Sequence, residues 1–76
     1  MTTIQKSPRL QIRIELDTYQ GKEMINIREW YLEDDSGEWR PSKKGFTIPK
    51  YNLQALGELI AALEKVRNQA SGVKQG

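Results

Sequence analysis

The sequence of 76 residues contains no cysteine and no histidine. The first absence excludes disulfides and fits a reducing, intracellular setting. Together the two remove the usual zinc ligand sets, the thiol nucleophile and the imidazole base. Four of the ten carboxylates cluster in one turn, at 33–38, where they read as solvated. These residues point to a protein that is not an enzyme and carries no cofactor or metal. No apolar run approaches the roughly 20 residues that a bilayer span needs. The N-terminal MTTIQKSPR lacks the hydrophobic segment of a secretory signal. The expectation is an intracellular protein with no membrane partner, found in the cytoplasm or nucleoid if bacterial and in the nucleus if eukaryotic. Net charge is also small, +2 from 12 basic and 10 acidic residues, so total charge favours no class of partner. A domain of about 60 residues buries only some 60% of its unfolded surface. With neither disulfide nor metal to help, the missing stability is expected from a second copy of the chain.

Aromatic residues are few, yet they are concentrated. The stretch from Ile25 to Ile48 holds both tryptophans (Trp30, Trp39), Tyr31 and the single phenylalanine, Phe46. It also holds Arg28, Arg40, Lys43 and Lys44. Flat rings interleaved with cations suit a single-stranded nucleic acid, since rings stack on bases and cations neutralise phosphates. The competing reading puts the rings in a core and the charges on a solvated face. Charge is segregated along the chain. From Trp39 to Lys50 there are four cations and no acid, and from Glu33 to Glu38 four acids and no cation. The basic run beside aromatics reads as an electrostatic footprint, the acidic run as a soluble turn.

Residues 1–8 read as a loose, flexible arm punctuated by Pro8. From Arg9 to Asp17, Leu10, Ile12, Ile14 and Leu16 alternate with Gln11, Arg13, Glu15 and Asp17, the period of a half-buried strand. A Gly-containing hairpin turn at 18–22 leads to a second strand from Glu23 to Leu32. A turn at Asp34–Gly37 follows. Glu38 to Arg40 or Pro41 makes a short third strand, limited by Pro41. Ser42–Gly45 turns again, and Lys44 to Ile48 forms a fourth strand. The apolar period then changes to three and four, over Leu53, Leu56, Leu59, Ile60, Leu63 and Val66, which predicts an amphipathic helix capped by Asn52 or by a residue near Pro49. Gly57 within it suggests close approach by another backbone. The helical pattern fades near Asn68, and 69–76 read as a disordered tail. The resulting plan is β-β-β-β-α, an α+β fold of four antiparallel strands and one C-terminal helix.

These motifs resemble the positive cofactor four family of transcriptional coactivators. The likeness rests on Gly21-Lys22, Ile25-Asn26-Ile27-Arg28-Glu29-Trp30-Tyr31, the acidic Gly-containing turn, Glu38-Trp39-Arg40-Pro41 and Lys43-Lys44-Gly45. It covers about residues 9 to 67, so that 9–68 form one binding and dimerisation domain. The resemblance implies a curved four-stranded sheet, dimerisation through the helix at Leu56, Leu59, Ile60 and Leu63, and single-stranded DNA bound across the sheet. Carried over by position, the nucleic-acid contacts fall on Tyr19, Arg28, Trp30, Tyr31, Arg40, Lys43 and Lys44, and Lys22 and Trp39 join them as candidate contacts. The first hairpin departs from the family in having Asp17 and Gln20 where basic residues are usual. Strict alternation sets Arg28 and Trp30 on the free face but Tyr31 with Ile25 and Ile27, so both rings reach a ligand only through a bulge or strong curvature. The implied function is sequence-tolerant single-stranded DNA binding by a homodimer that regulates transcription, with the transcription machinery as a further partner. The alternatives are a single-stranded RNA binder and a dimeric interaction module for acidic peptides.

Overall fold

The computed structural model describes residues 1–72. Its elements are β1 (Thr2–Ser7), β2 (Leu10–Tyr19), β3 (Lys22–Leu32), β4 (Trp39–Pro49) and α1 (Leu53–Ala70). The strands form one antiparallel sheet in the order β1-β2-β3-β4. The β-β-β-β-α plan therefore stands, but two of its strands are drawn differently. Residues 2–7, expected as a loose arm, are an edge strand laddered to β2. Their sequence shows no apolar alternation because all but Ser7 are exposed. An ion pair from Lys6 to Glu29, 3.1 Å long, ties this strand across β2 to β3. The two short strands expected at 38–41 and 44–48 are one, β4. The segment read as a turn between them is a bulge, in which Ser42, Lys43 and Lys44 lie opposite the single residue Glu29.

Side-chain hydrogen bonds explain why the strand runs on through the bulge. Ser42 Oγ donates to the Glu29 carbonyl at 2.8 Å and accepts from the Lys44 amide at 3.0 Å. These replace ladder bonds that the extra residues displace. Pro41 is tolerated because β4 lies at the sheet edge. Gly45 lets β4 close on β3: a Cβ there would sit 2.6 Å from the Ile27 carbonyl oxygen. The β2–β3 hairpin closes in two residues, Gln20 and Gly21, both at positive φ (52° and 78°), with Tyr19 opposite Lys22. That is the twist-matched two-residue hairpin turn.

Register sorts the side chains onto two faces. Ile12, Ile14, Leu16, Ile25, Ile27, Phe46 and Ile48 share one face, while Gln11, Arg13, Arg28, Trp30, Pro41 and Gly45 share the other. The helix begins where Asn52 Oδ1 accepts the Ala55 amide at 3.2 Å, as a side-chain cap should. It ends with Ser71 N donating to the Arg67 carbonyl and Gly72 at φ 77°. It thus runs two residues past the fading of its apolar pattern, so Gln69 and Ala70, expected in a disordered tail, are helical. Residues 73–76 of that tail lie outside the described residues.

The helix meets the sheet closely only along β4. Leu56, Leu59, Ile60 and Leu63 face Ile14, Leu16, Ile25 and Ile27 across a groove of about 570 Å3. Among the described residues Ile48 alone is buried, at 8% exposure. A Cβ placed on Gly57 would meet nothing among the described residues beyond its own helix within 4 Å. The slab measures 49 × 34 × 17 Å.

Candidate nucleic-acid interface

The face away from the helix carries the site. Arg13 and Arg28 are directly opposite across β2 and β3, and Gln11 is opposite Trp30. The Arg13 guanidinium lies over the Trp30 ring, 4.0 Å from its centroid, and its Nε donates to Gln11 Oε1 at 3.1 Å. Arg28 Nη1 donates to the Ser42 carbonyl at 2.9 Å, so the bulge aims one of the two arginines. Like charges directly opposite on a sheet are destabilising, yet no acid of the described residues pairs with either. Beside them β4 contributes Gly45 and Pro41, which keep the surface low next to Arg28 and Trp30. Trp39 is opposite Leu32 and shares this face. Asn26, next along the row, holds a buried side-chain oxygen with no partner among the described residues; we have no physical account of it.

Tyr19 and Lys22 close the hairpin at the far end of the same face. Glu15 and Asp17 lie between them and the arginines on β2. Tyr31 and Arg40 are paired across β3 and β4 on the opposite face. The bulge leaves the alternation of β3 intact, so Trp30 and Tyr31 point to opposite sides. Tyr31 remains 40% exposed, because the groove under the helix involves the other end of that face. Lys43 follows the parity of Pro41 and Gly45, and Lys44 that of Phe46. Both are exposed, and neither they nor Lys22 form an ion pair among the described residues.

Arg40 is held differently. Its Nε is 2.8 Å from Glu33 Oε2 and its Nη2 is 3.3 Å from Glu38 Oε2. Ser36 Oγ donates to Glu33 Oε1 at 2.7 Å. That hydrogen bond first, and Arg40 with it, holds the Glu33 carboxyl below its ordinary value of 4.5 against a weaker opposing effect of desolvation. Asp34 in the same turn pairs with Arg9. Arg13 was not singled out in the sequence. Its only signal was a place on the polar side of the first strand, and its meeting with Trp30 depends on register.

The family model described as Transcriptional Coactivator p15 (PC4) matches residues 7–59. The chain belongs to the PC4 family. Its relatives in that family include a Caenorhabditis elegans protein named for a role as RNA polymerase II transcriptional coactivator, 40% identical over 47 residues. That match takes in 62% of this chain and spans 38% of the relative's length. Among solved structures, a PC4 homolog from Burkholderia pseudomallei is similar with a TM-score of 0.68 at 28% identity, covering 82% of this chain and 84% of that one. A bacteriophage T5 homolog of PC4, implicated in recombination-dependent DNA replication, gives a TM-score of 0.59 at 26% identity, covering 99% and 97%. The matching family model is described as that of a transcriptional coactivator, and the order of four strands and a helix in this chain matches PC4-like folds.

Proposed function

We propose that this PC4-family chain binds single-stranded DNA with little sequence preference, as a homodimer that regulates transcription. The observation that carries the reading is the opposed pair Arg13 and Arg28 flanking Trp30 on the open face. Two cations facing each other without an acid favour an anion between them. The Trp30 ring becomes a stacking platform for a splayed base once Arg13 gives up its place over the ring, a contact worth about 1–3 kcal/mol per base before that loss. Lys22 and Tyr19 extend the track to the hairpin, and Trp39 and Lys43 extend it towards β4. A strand that rounds the β4 edge then meets Lys44, Arg40 and Tyr31. A duplex hides its base faces, so stacking selects single strands. Its place of action in this reading is intracellular: the cytoplasm or nucleoid of a bacterium, or a eukaryotic nucleus.

The dimer part of the proposal rests on exposed apolar surface. A compact monomer of this size shows about 4,800 Å2, whereas this chain shows 6210 Å2. The excess exceeds the roughly 800 Å2 per partner of a standard interface. Ile60 and Leu63, at 52% and 59% exposure, with Leu56 and Leu59 beside them, are the surface a second copy would cover. Titrating tryptophan fluorescence with a mixed-sequence oligonucleotide, single-stranded and then as duplex, tests the function. Quenching by the single strand, reduced in Trp30→Ala along with affinity, is expected. Equal affinity for the duplex would overturn the stacking mechanism, and tighter binding of an RNA of the same sequence would reassign the substrate.

A further inference from the structure

We infer that Glu33 and Glu38 act as built-in competitors of phosphate for Arg40, so that the chain enters its binding state only when a nucleic acid displaces its own carboxylates. The inference rests on the single-strand binding proposed above and adds a control element to it. Of the cations placed along the proposed track, Arg40 is the one engaged by acids among the described residues. Two separate nitrogens of its guanidinium point at two separate carboxylates, at 2.8 and 3.3 Å. This is how the planar fork divides itself between the oxygens of a phosphate.

The acids are held in place for the task. Glu33 N donates to the Glu38 carbonyl and Gly37 N to the Glu33 carbonyl, both at 2.9 Å. Ser36 fixes the Glu33 carboxylate and supports the Glu38 amide at 3.2 Å. The turn therefore presents a preformed negative cradle to Arg40. Arg40 itself is 47% exposed, and ion pairs at such positions are weak enough to exchange. Lys22, Lys43 and Lys44 have no such partner among the described residues, so they meet a polyanion first. Arg40 then changes partner within a complex already formed. Scattered carboxylates or small anions lack that prior anchorage, and the turn outcompetes them. The consequence is discrimination in favour of a continuous phosphate chain. Arg40 also lies opposite Tyr31, so its release opens a cation–ring pair on the far side of the β4 edge.

The test is a salt series of binding titrations with a labelled mixed-sequence single strand. It compares the full chain, the Glu33→Gln/Glu38→Gln variant, a charge-matched Glu58→Gln/Glu64→Gln variant on the helix, and the turn variant with Arg40→Ala added. Glutamine keeps the size and acceptor oxygen of each acid, and the closing bonds of the turn are backbone. The turn variant is expected to bind about fivefold more tightly, the scale of one exposed ion pair. Its plot of log K against log salt should keep about the parent's slope, because Arg40 reaches the same phosphate in both complexes, and adding Arg40→Ala should flatten it by about 0.7. The helix variant should gain less, and Arg40→Ala should remove the gain. If the unaltered chain binds while the turn variant shows the same affinity, the inference is overturned and the proposed function stands. A gain equalled by the helix variant, or surviving Arg40→Ala, overturns it as well. Binding by the turn variant alone supports it, and binding by neither overturns this inference and the proposed function together.

Discussion

Replacing Gly45 with alanine should destabilise the fold by about 1–2 kcal/mol. Gly45 does not have a positive φ, so an L side chain suits its backbone. Without steric conflict, alanine would stabilise by about 0.4–1 kcal/mol through the unfolded chain. The conflict decides the sign. The added carbon would lie 2.6 Å from the Ile27 carbonyl oxygen, 2.9 Å from Arg28 Cα and 3.1 Å from Arg28 Cβ. The two nearest are backbone atoms of the central strand and cannot rotate away. β4 must therefore lift, at the roughly 1–3 kcal/mol that overpacking costs. Lifting also draws the Ser42 carbonyl from Arg28, so nucleic-acid affinity should fall with stability. Each kcal/mol shifts the melting temperature of a domain this size by about 4–8 °C, giving an expected loss of roughly 4–16 °C. Thermal and urea unfolding at one fixed protein concentration would measure it, fixed because association shifts apparent stability. An alanine variant as stable as the parent, or more so, would refute the steric reasoning and the tightness of the β3–β4 approach.

Other outcomes follow from the same geometry. Leu63→Glu should unfold or strongly destabilise the chain and abolish a species of twice the chain mass in sedimentation; at 59% exposure a monomer would lose no more than about 0.5 kcal/mol, so a well-folded, unaffected variant counts against the dimer. Lys43→Ala together with Lys44→Ala should leave the fold intact and flatten the salt dependence of single-strand binding by about 0.7 per lost phosphate contact, whereas an unchanged slope would make the pair ordinary surface. The Glu33 carboxyl should titrate below 4.5 in the folded protein, as followed by NMR. Because its pKa is lowered on folding, its stabilising contribution is complete above the unfolded value and disappears as pH falls through the folded one. The stability gap between the parent and Glu33→Gln should therefore close on acidification, and a gap that widened there would contradict the assignment.

The sequence made the elements legible where one face is apolar. Leu10 to Leu16 announced β2, and the shift to steps of three and four announced α1. It did not reveal β1, since residues 2–7 place almost nothing in a core and are held by a backbone ladder and the Lys6–Glu29 pair. Nor did it reveal that Ser42–Gly45 is a bulge. Ser, Lys and Gly are turn-forming residues, and only the Ser42 side chain reaching back to Glu29 distinguishes the two. At the candidate site, Arg28 and Trp30 could be placed together by alternation along one strand. Arg13 could not, because its position over Trp30 depends on how β2 pairs with β3. Arg40 was read with the other cations, since linear order does not show that a neighbouring turn has folded back to claim it.

The bulge on β4 also bears on how this chain tolerates changes in length. Three residues, Ser42 to Lys44, stand opposite Glu29 where one would suffice, so the surplus is even. Beyond it Phe46 and Ile48 still fall on the side of Ile27 and Ile25. Losing a single residue there would turn every later side chain of β4 over. Ile48 would point away from the helix, and Thr47 would take a place among the apolar residues. Losing two would shorten the bulge into a regular ladder and leave each later residue on its present side. Insertions and deletions between Pro41 and Gly45 should therefore survive selection in pairs, with odd steps eliminated.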